Sequence, residues 1–207
     1  RDEVRKIEAI TPTGSLSVPH ALLRNAVEDE RLTLAKNVFL FSFYVGGINF
    51  VDLAKLRWRN LTADSEGKQR LTYKRQKTGG KFSVRLLDPA FAIVEQYRPS
   101  TYNESDDYVF PILYRQQHQT PTQIHNRIHK VSAMVNADLK AVGQRAGIDT
   151  PLTTYVARHS FATSLRQAGI ADAITGQMMG HKNASVTAIY LDSFPSEIVD
   201  SAYDALL

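Results

Sequence analysis

Residues 33–45 (TLAKNVFLFSFYV) are apolar on nearly every side of a helical wheel. A helix of that kind has no face to turn toward water, so it is buried. Gly46-Gly47 stops it, and Asn49 followed by Asp52 has the form of a cap for a second helix, 50–56. The chain has 207 residues, which suits one domain of ordinary size, 1–207. Its 43% hydrophobic content supplies a real core and argues against wholesale disorder.

Beyond residue 56 the pattern turns strand-like at 58–61, 70–75 and 82–87. Turn signals at Ser65-Glu66-Gly67 and Thr78-Gly79-Gly80 separate these pieces. They predict a small three-stranded antiparallel sheet. Asp88-Pro89 opens a helix to about Tyr97. Residues 98–119 read as a loop, and Thr120-Pro121 opens a long helix. Its apolar stripe is Ile124, Ile128, Val131, Val135, Leu139 and Val142, and Gly147 ends it. Shorter helices follow at about 154–168, 171–179 and 184–191, with a last one at about 195–206. The expected fold class is α+β, mostly α-helical, with one inserted sheet.

No apolar run approaches the ~20 residues needed to span a bilayer, and no secretory pattern opens the chain. It begins at Arg1 rather than Met, so a fragment is expected, with an N-terminal region lost. The absence of cysteine removes disulfides, zinc–thiolate sites and cysteine nucleophiles together, and fits an intracellular protein. The net charge of +4 is modest but uneven. Ten Lys and Arg lie between Lys55 and Arg85 against Asp64 and Glu66, whereas the segment from Asp192 onward holds four acids and no Lys or Arg. A basic surface attracts a polyanion such as DNA, and Arg57, Arg59, Lys74, Arg75 and Lys81 are the candidate contacts. A merely solvated basic hairpin is the competing explanation.

The C-terminal third carries Arg158-His159-Ser160-Phe161, then Gly180-His181, then Tyr190. Arg158 precedes His181 by 23 residues, and His181 precedes Tyr190 by nine. Upstream stand Lys77-Thr78-Gly79 and the segment from Gly47 to Leu56. Taken singly these motifs are weak. In this order and at these separations they resemble the tyrosine recombinases, the phage-integrase family, from about residue 33 to the end. The details around Asn49 and Tyr155 look like the branch found in Bacteroides-type mobile elements.

The resemblance implies a catalytic domain that cuts and rejoins double-stranded DNA, without the family's separate N-terminal DNA-clamping domain. Tyr190 would attack phosphorus, leaving a 3′-phosphotyrosyl bond and a free 5′-hydroxyl. A free phenol has a pKa of about 10, so Tyr190 needs nearby positive charge or a base. A phosphodiester repels nucleophiles and redistributes charge over its oxygens in the transition state, so fixed cationic donors are the main protein contribution. Arg158 would clamp the phosphate with its planar fork. Phe161, Ala162 and Leu165 put an apolar face beside it, which places it at a core edge. His181 would donate to a nonbridging oxygen or orient the tyrosine. Lys77 would protonate the leaving 5′-oxygen, given neighbours that lower its pKa from about 10.4. His159 is assigned to structure. Asp52 is expected to brace Arg158 or a helix start.

Two positions depart from the family pattern. Asn49 falls where the family carries a first-box arginine, and it supplies no cation. Another residue, with Arg57 and Arg59 as candidates, supplies the charge, or the domain is altered. Tyr155 stands where many members have His; it can donate to phosphate but cannot act as an acid–base group at neutral pH. It is also the second-choice nucleophile. Two alternatives stay open: a DNA-binding module that has lost catalysis, and a type IB-like topoisomerase. Neither a metal nor a nucleotide cofactor is expected, because the histidines and acids show no ligand spacing and the phosphotyrosyl bond conserves the energy for rejoining. Segment 195–207 has a helical apolar pattern that either packs on its own chain or joins copies into a DNA-bound tetramer. The expected setting is bacterial cytoplasm, on the nucleoid.

Overall fold

In a computed structural model, residues 2–10, 28–77, 79–180, 196–204 and 206 are described, with side chains from 199 onward in the last helix. The helices are α1 (Asp2–Ala9), α2 (Glu28–Tyr44), α3 (Phe50–Ala54), α4 (Asp88–Thr101), α5 (Pro121–Arg145), α6 (Thr154–Gln167), α7 (Asp172–Met178) and α8 (Ser196–Asp204). Strands β1 (Leu61–Ala63), β2 (Gln69–Lys74) and β3 (Lys81–Arg85) form one antiparallel sheet in that order.

α2 is the axis of the core. Every residue from Leu32 to Tyr44 is buried except Lys36. Helices α1, α4, α5 and α6 pack around it, which is why it lacks a polar face. Lys36 escapes by donating to the carbonyls of Glu8 and Ile10 at the end of α1. Phe41 is fully buried and meets Phe110 edge-on, with ring centroids 5.1 Å apart.

The long helix forms as its stripe demands. Thr120 and Gln123 exchange the two bonds of a capping box, Pro121 takes the first helical position, and the expected apolar residues from Ile128 to Val142 are buried. α4 runs to Thr101, past the expected end at Tyr97 and through Pro99. Pro99 cannot donate a backbone bond. The last turn is held instead by Thr101 Oγ1, which donates to the Tyr97 carbonyl at 2.9 Å and accepts from Trp58 Nε1 at 3.3 Å.

The expected strand at 58–61 is corrected. Trp58–Asn60 is a single 3-10 turn, and β1 begins only at Leu61. Asn60 Oδ1 accepts from the Arg57 backbone N–H at 2.8 Å, and this local cap outcompetes the β-propensity of the tryptophan. The helix expected at 184–191 lies outside the described residues.

The sheet is covered by α8. Val199, Ala202, Tyr203 and Leu206 are buried. Arg70 reaches Asp200 at 2.6 Å and Arg85 reaches Asp204 at 2.7 Å. Of the two placements considered for the terminal segment, the described part takes the one on its own chain. None of the described helices is long and apolar enough to cross a membrane.

Phe41→Ala leaves a cavity at the centre of the α2 packing and is expected to cost about 3–5 kcal/mol. Urea unfolding would show a lower midpoint with an unchanged slope.

Candidate phosphate-binding site

Four chain segments, α6 among them, meet around Arg158. The first is the turn between α2 and α3. Gly46 and Gly47 both have positive φ, 83° and 69°, and the Gly47 N–H donates to the Ser42 carbonyl at 2.8 Å. Asn49 caps α3 as expected, accepting from the Asp52 N–H at 2.9 Å, and its amide donates to Asp52 Oδ2 at 2.6 Å. The Asn49 oxygen and one of its two amide N–H groups thus serve the cap and Asp52.

Asp52 is buried. Its other oxygen accepts the Gln76 backbone N–H at 2.9 Å. That bond fixes the second segment, the end of β2 and its turn, against α3. Asp52 therefore anchors the stretch containing Arg75, Gln76 and Lys77 while its charge also favours the cationic form of Arg158. Lys77 sits at the turn with its side chain exposed.

The third segment is α6, started by the Thr153 cap. Phe161 is fully buried, with its ring 6.4 Å from Phe43 and 6.1 Å from Tyr203. One turn earlier, Arg158 emerges at the core edge. Its Nη1 donates to the Gly47 carbonyl at 2.7 Å, and its Nη2 donates to the Met179 carbonyl at 2.9 Å. Contact with the glycine turn is close: a β-carbon at Gly47 would lie 2.7 Å from Arg158 Cγ and 2.9 Å from its Cα. Burial lowers the Arg158 pKa most, the positive charge of Arg75 lowers it further, and Tyr73, Tyr155 and Asp52 oppose both. A guanidinium stays charged through such shifts.

The fourth segment is the end of α7. Gly180, at φ 63°, terminates that helix in the left-handed conformation. A β-carbon there would lie 2.5 Å from Arg75 Cζ and 2.6 Å from its Nε. Position 180 is therefore wedged between Arg75 and the residue bonded to Arg158. His181 follows it directly, but His181 and Tyr190 lie outside the described residues.

Tyr155 is 66% exposed, and its ring meets that of His159 edge-on at 4.4 Å. His159 is exposed too, so it belongs to this outer face rather than to the core. Lys74 and Lys81 are exposed and directly opposed across β2 and β3. Arg57 and Arg59 both pair with Asp106, at 3.0 and 2.6 Å. Both are held against the 103–108 loop by these pairs. Arg75 departs from the exposed hairpin expected for it: it is only 8% exposed, stacked 4.5 Å over the Phe82 ring. The signal was present in the alternation of β2, where Leu71 and Tyr73 are buried and position 75 continues that face. Among the described residues, no three His, Asp or Glu side chains are grouped to hold a metal.

The tight seat of Arg158 gives a clean comparison between two glycines. Gly67 has positive φ, 77°, but open space around it. Gly67→Ala should cost about 1–2 kcal/mol, the strain of the left-handed backbone. Gly47→Ala meets that strain and the Arg158 backbone as well, so it should cost at least about 1 kcal/mol more. Denaturant midpoints of the two variants would measure the difference.

The likeness to known proteins follows the same arrangement. Residues 20–197 match the phage integrase family. The tyrosine recombinase XerD of Vibrio vulnificus is 29% identical over 177 residues, which covers 82% of this chain and 52% of that protein. XerD of Shewanella oneidensis is 27% identical over 202 residues, covering 91% of this chain and 61% of that one. The chain spans little more than half the length of these relatives. Among solved structures, the integrase from mycobacterium phage Brujita superposes with a TM-score of 0.58 at 18% identity, over 96% of this chain and 58% of the other. The XerA recombinase gives 0.51 at 20% identity, over 87% and 62%. These two likenesses show the shared fold, helices around a small antiparallel sheet. With the family match extending over most of its length, the chain belongs to the phage integrase family.

Proposed function

We propose that this chain is the catalytic domain of a site-specific DNA recombinase or integrase. Tyr190 is its nucleophile. The phenolic oxygen bonds to phosphorus, the bond to the 5′-oxygen breaks, and Lys77 gives that oxygen its proton. The reverse step on a new 5′-hydroxyl rejoins the strand. The observation that carries this reading is the seat of Arg158. Its guanidinium is held by two carbonyls, one of them at the residue before Gly180-His181. A donor so fixed needs no reorganisation when charge moves onto phosphate oxygens. Exposed Lys77 on the turn that Asp52 anchors supports the proton donor, and Tyr155 beside Arg158 supports a further donor to phosphate.

Double-stranded DNA is the partner, approached across exposed Lys74, Lys77 and Lys81. Several copies would assemble on it, a tetramer joined through 195–207. That exchange first requires release of the Arg70–Asp200 and Arg85–Asp204 pairs within the chain. The setting is bacterial cytoplasm on nucleoid DNA. Placement in the Bacteroides-type branch rests on the residues around Asn49 and Tyr155.

Asn49 favours one second reading. One N–H of its amide is taken by Asp52 and it carries no charge, so position 49 offers no cation to phosphate, and a DNA-binding module without cleavage would look alike there.

Covalent capture from a pool of nicked duplexes of random sequence separates the two. The wild-type chain is expected to yield a detergent-stable DNA adduct, Tyr190→Phe none, and Arg158→Ala an adduct formed about 10²–10³ times more slowly. An adduct that survives Tyr190→Phe would move the nucleophile elsewhere, with Tyr155 next. Salt-sensitive DNA binding with no adduct would establish the second reading.

A further inference from the structure

Arg75 is the group in this fold whose surroundings least explain it. Its side chain is more than nine-tenths buried, yet its Nε and Nη2 make no well-formed hydrogen bond among the described residues, and the interaction with the Tyr73 hydroxyl brings no negative charge. No carboxylate among those residues pairs with it. The nearby acid, Asp52, already accepts from Asn49 and Gln76. Arg158 stands close enough for the two positive charges to oppose each other. The buried Tyr73 hydroxyl interacts with the guanidinium, and the buried Tyr203 hydroxyl, which also lies within its field, has no hydrogen-bond partner among the described residues. A buried guanidinium with silent donors, next to a second guanidinium, is costly unless something negative completes the cluster.

The geometry says where that completion would sit. The guanidinium lies 4.5 Å over the Phe82 ring and is fixed at its root by the hairpin, where the Arg75 N–H donates to the Gly80 carbonyl at 3.0 Å. Its edge abuts Gly180, and Arg158 holds the adjoining carbonyl of Met179. Two planar forks therefore flank one glycine step. The cation missing at Asn49 on α3 is matched by one arriving from the end of β2.

We infer that Arg75 is a second phosphate-binding arginine, supplying from the β-hairpin the positive charge that Asn49 does not, and gripping together with Arg158 the phosphodiester on which Tyr190 acts. This rests on the reading of the site as a phosphate-binding one, but not on which residue attacks. Arg75 contributes charge and N–H donors only; it takes no proton and forms no covalent bond. The competing role is that of a scaffold, with the guanidinium wedging α7 against β3 and never meeting substrate.

Inorganic phosphate is the probe that distinguishes these. The ¹⁵N-labelled chain would be titrated with phosphate at constant ionic strength, and the side-chain Nε–H signals of Arg75 and Arg158 followed. Both signals should move along one saturation curve. Arg75→Gln should weaken phosphate binding at least tenfold, and Arg75→Lys should restore part of the loss through its charge. A response at Arg158 with none at Arg75, or an unchanged affinity in Arg75→Gln, overturns the inference. So does an absence of any response at both arginines. The wild-type signals decide the matter even if a variant does not fold. Since the titration does not involve Tyr190, phosphate binding without a covalent adduct would leave this inference standing while the recombinase reading fails.

Discussion

Two hydrogen bonds from one guanidinium connect the parts of this domain that matter. Arg158 projects from α6 and donates to carbonyls at the turn after α2 and at the end of α7. Both acceptors lie where a helix has finished and its last carbonyls lack intrahelical partners. A charged donor suits them, and each such bond contributes about 1.5–3 kcal/mol. The approach requires Gly47, because any β-carbon there would collide with the Arg158 backbone and side chain. The same bonds fix where the chain leaves α7 and begins the segment leading to His181 and Tyr190. One residue thus ties the turn after α2 to the end of α7.

The electrostatics follow from that packing. Arg75 and Arg158 are held near each other at the margin of an apolar core, where charges are weakly screened. Asp52 offsets part of the repulsion but is itself occupied by Asn49 and Gln76. Two phenols face the cluster, Tyr73 and Tyr203. Burial raises both well above the usual tyrosine range, so they remain neutral and do not cancel the positive charge. The result is a concentrated positive site beside the buried rings of Phe82 and Phe161. On the proposed reading, such a site would act on a phosphate through preorganised charge. The exposed cations around it, Lys74 and Lys81 across the hairpin, are directly opposed and unfavourable to each other until a polyanion lies over them.

Much of the fold was legible because its local signals were strong. The all-apolar segment before Gly46-Gly47 could only be central, and the stripe from Ile124 to Val142 could only be a long helix. The cap at Asn49 was readable from its spacing to Asp52. Trp58–Asn60 was misread because an aromatic residue beside alternating neighbours mimics a strand, while the decisive contact, Asn60 to Arg57, is a cap that also fits a turn. The extension of α4 through Pro99 depended on Trp58 and Thr101 meeting from distant parts of the chain. The ion pair that draws Arg57 and Arg59 to Asp106 was invisible for the same reason. Arg158 was identified by its family spacing, but its carbonyl partners were not, since they come from segments more than 20 and 100 residues away. Arg75 was read by charge, as one basic residue among ten. Its strand parity, shared with Leu71 and Tyr73, pointed inward and was the better guide.

The guanidiniums of residues 75 and 158 are inferred to converge on a single anion beside Gly180. Crystals of the chain soaked in tungstate, a heavy tetrahedral oxyanion shaped like phosphate, test it directly through anomalous scattering. One dominant peak bridging the two guanidiniums is the predicted result. Peaks confined to exposed lysines, with nothing between those two arginines, would contradict it.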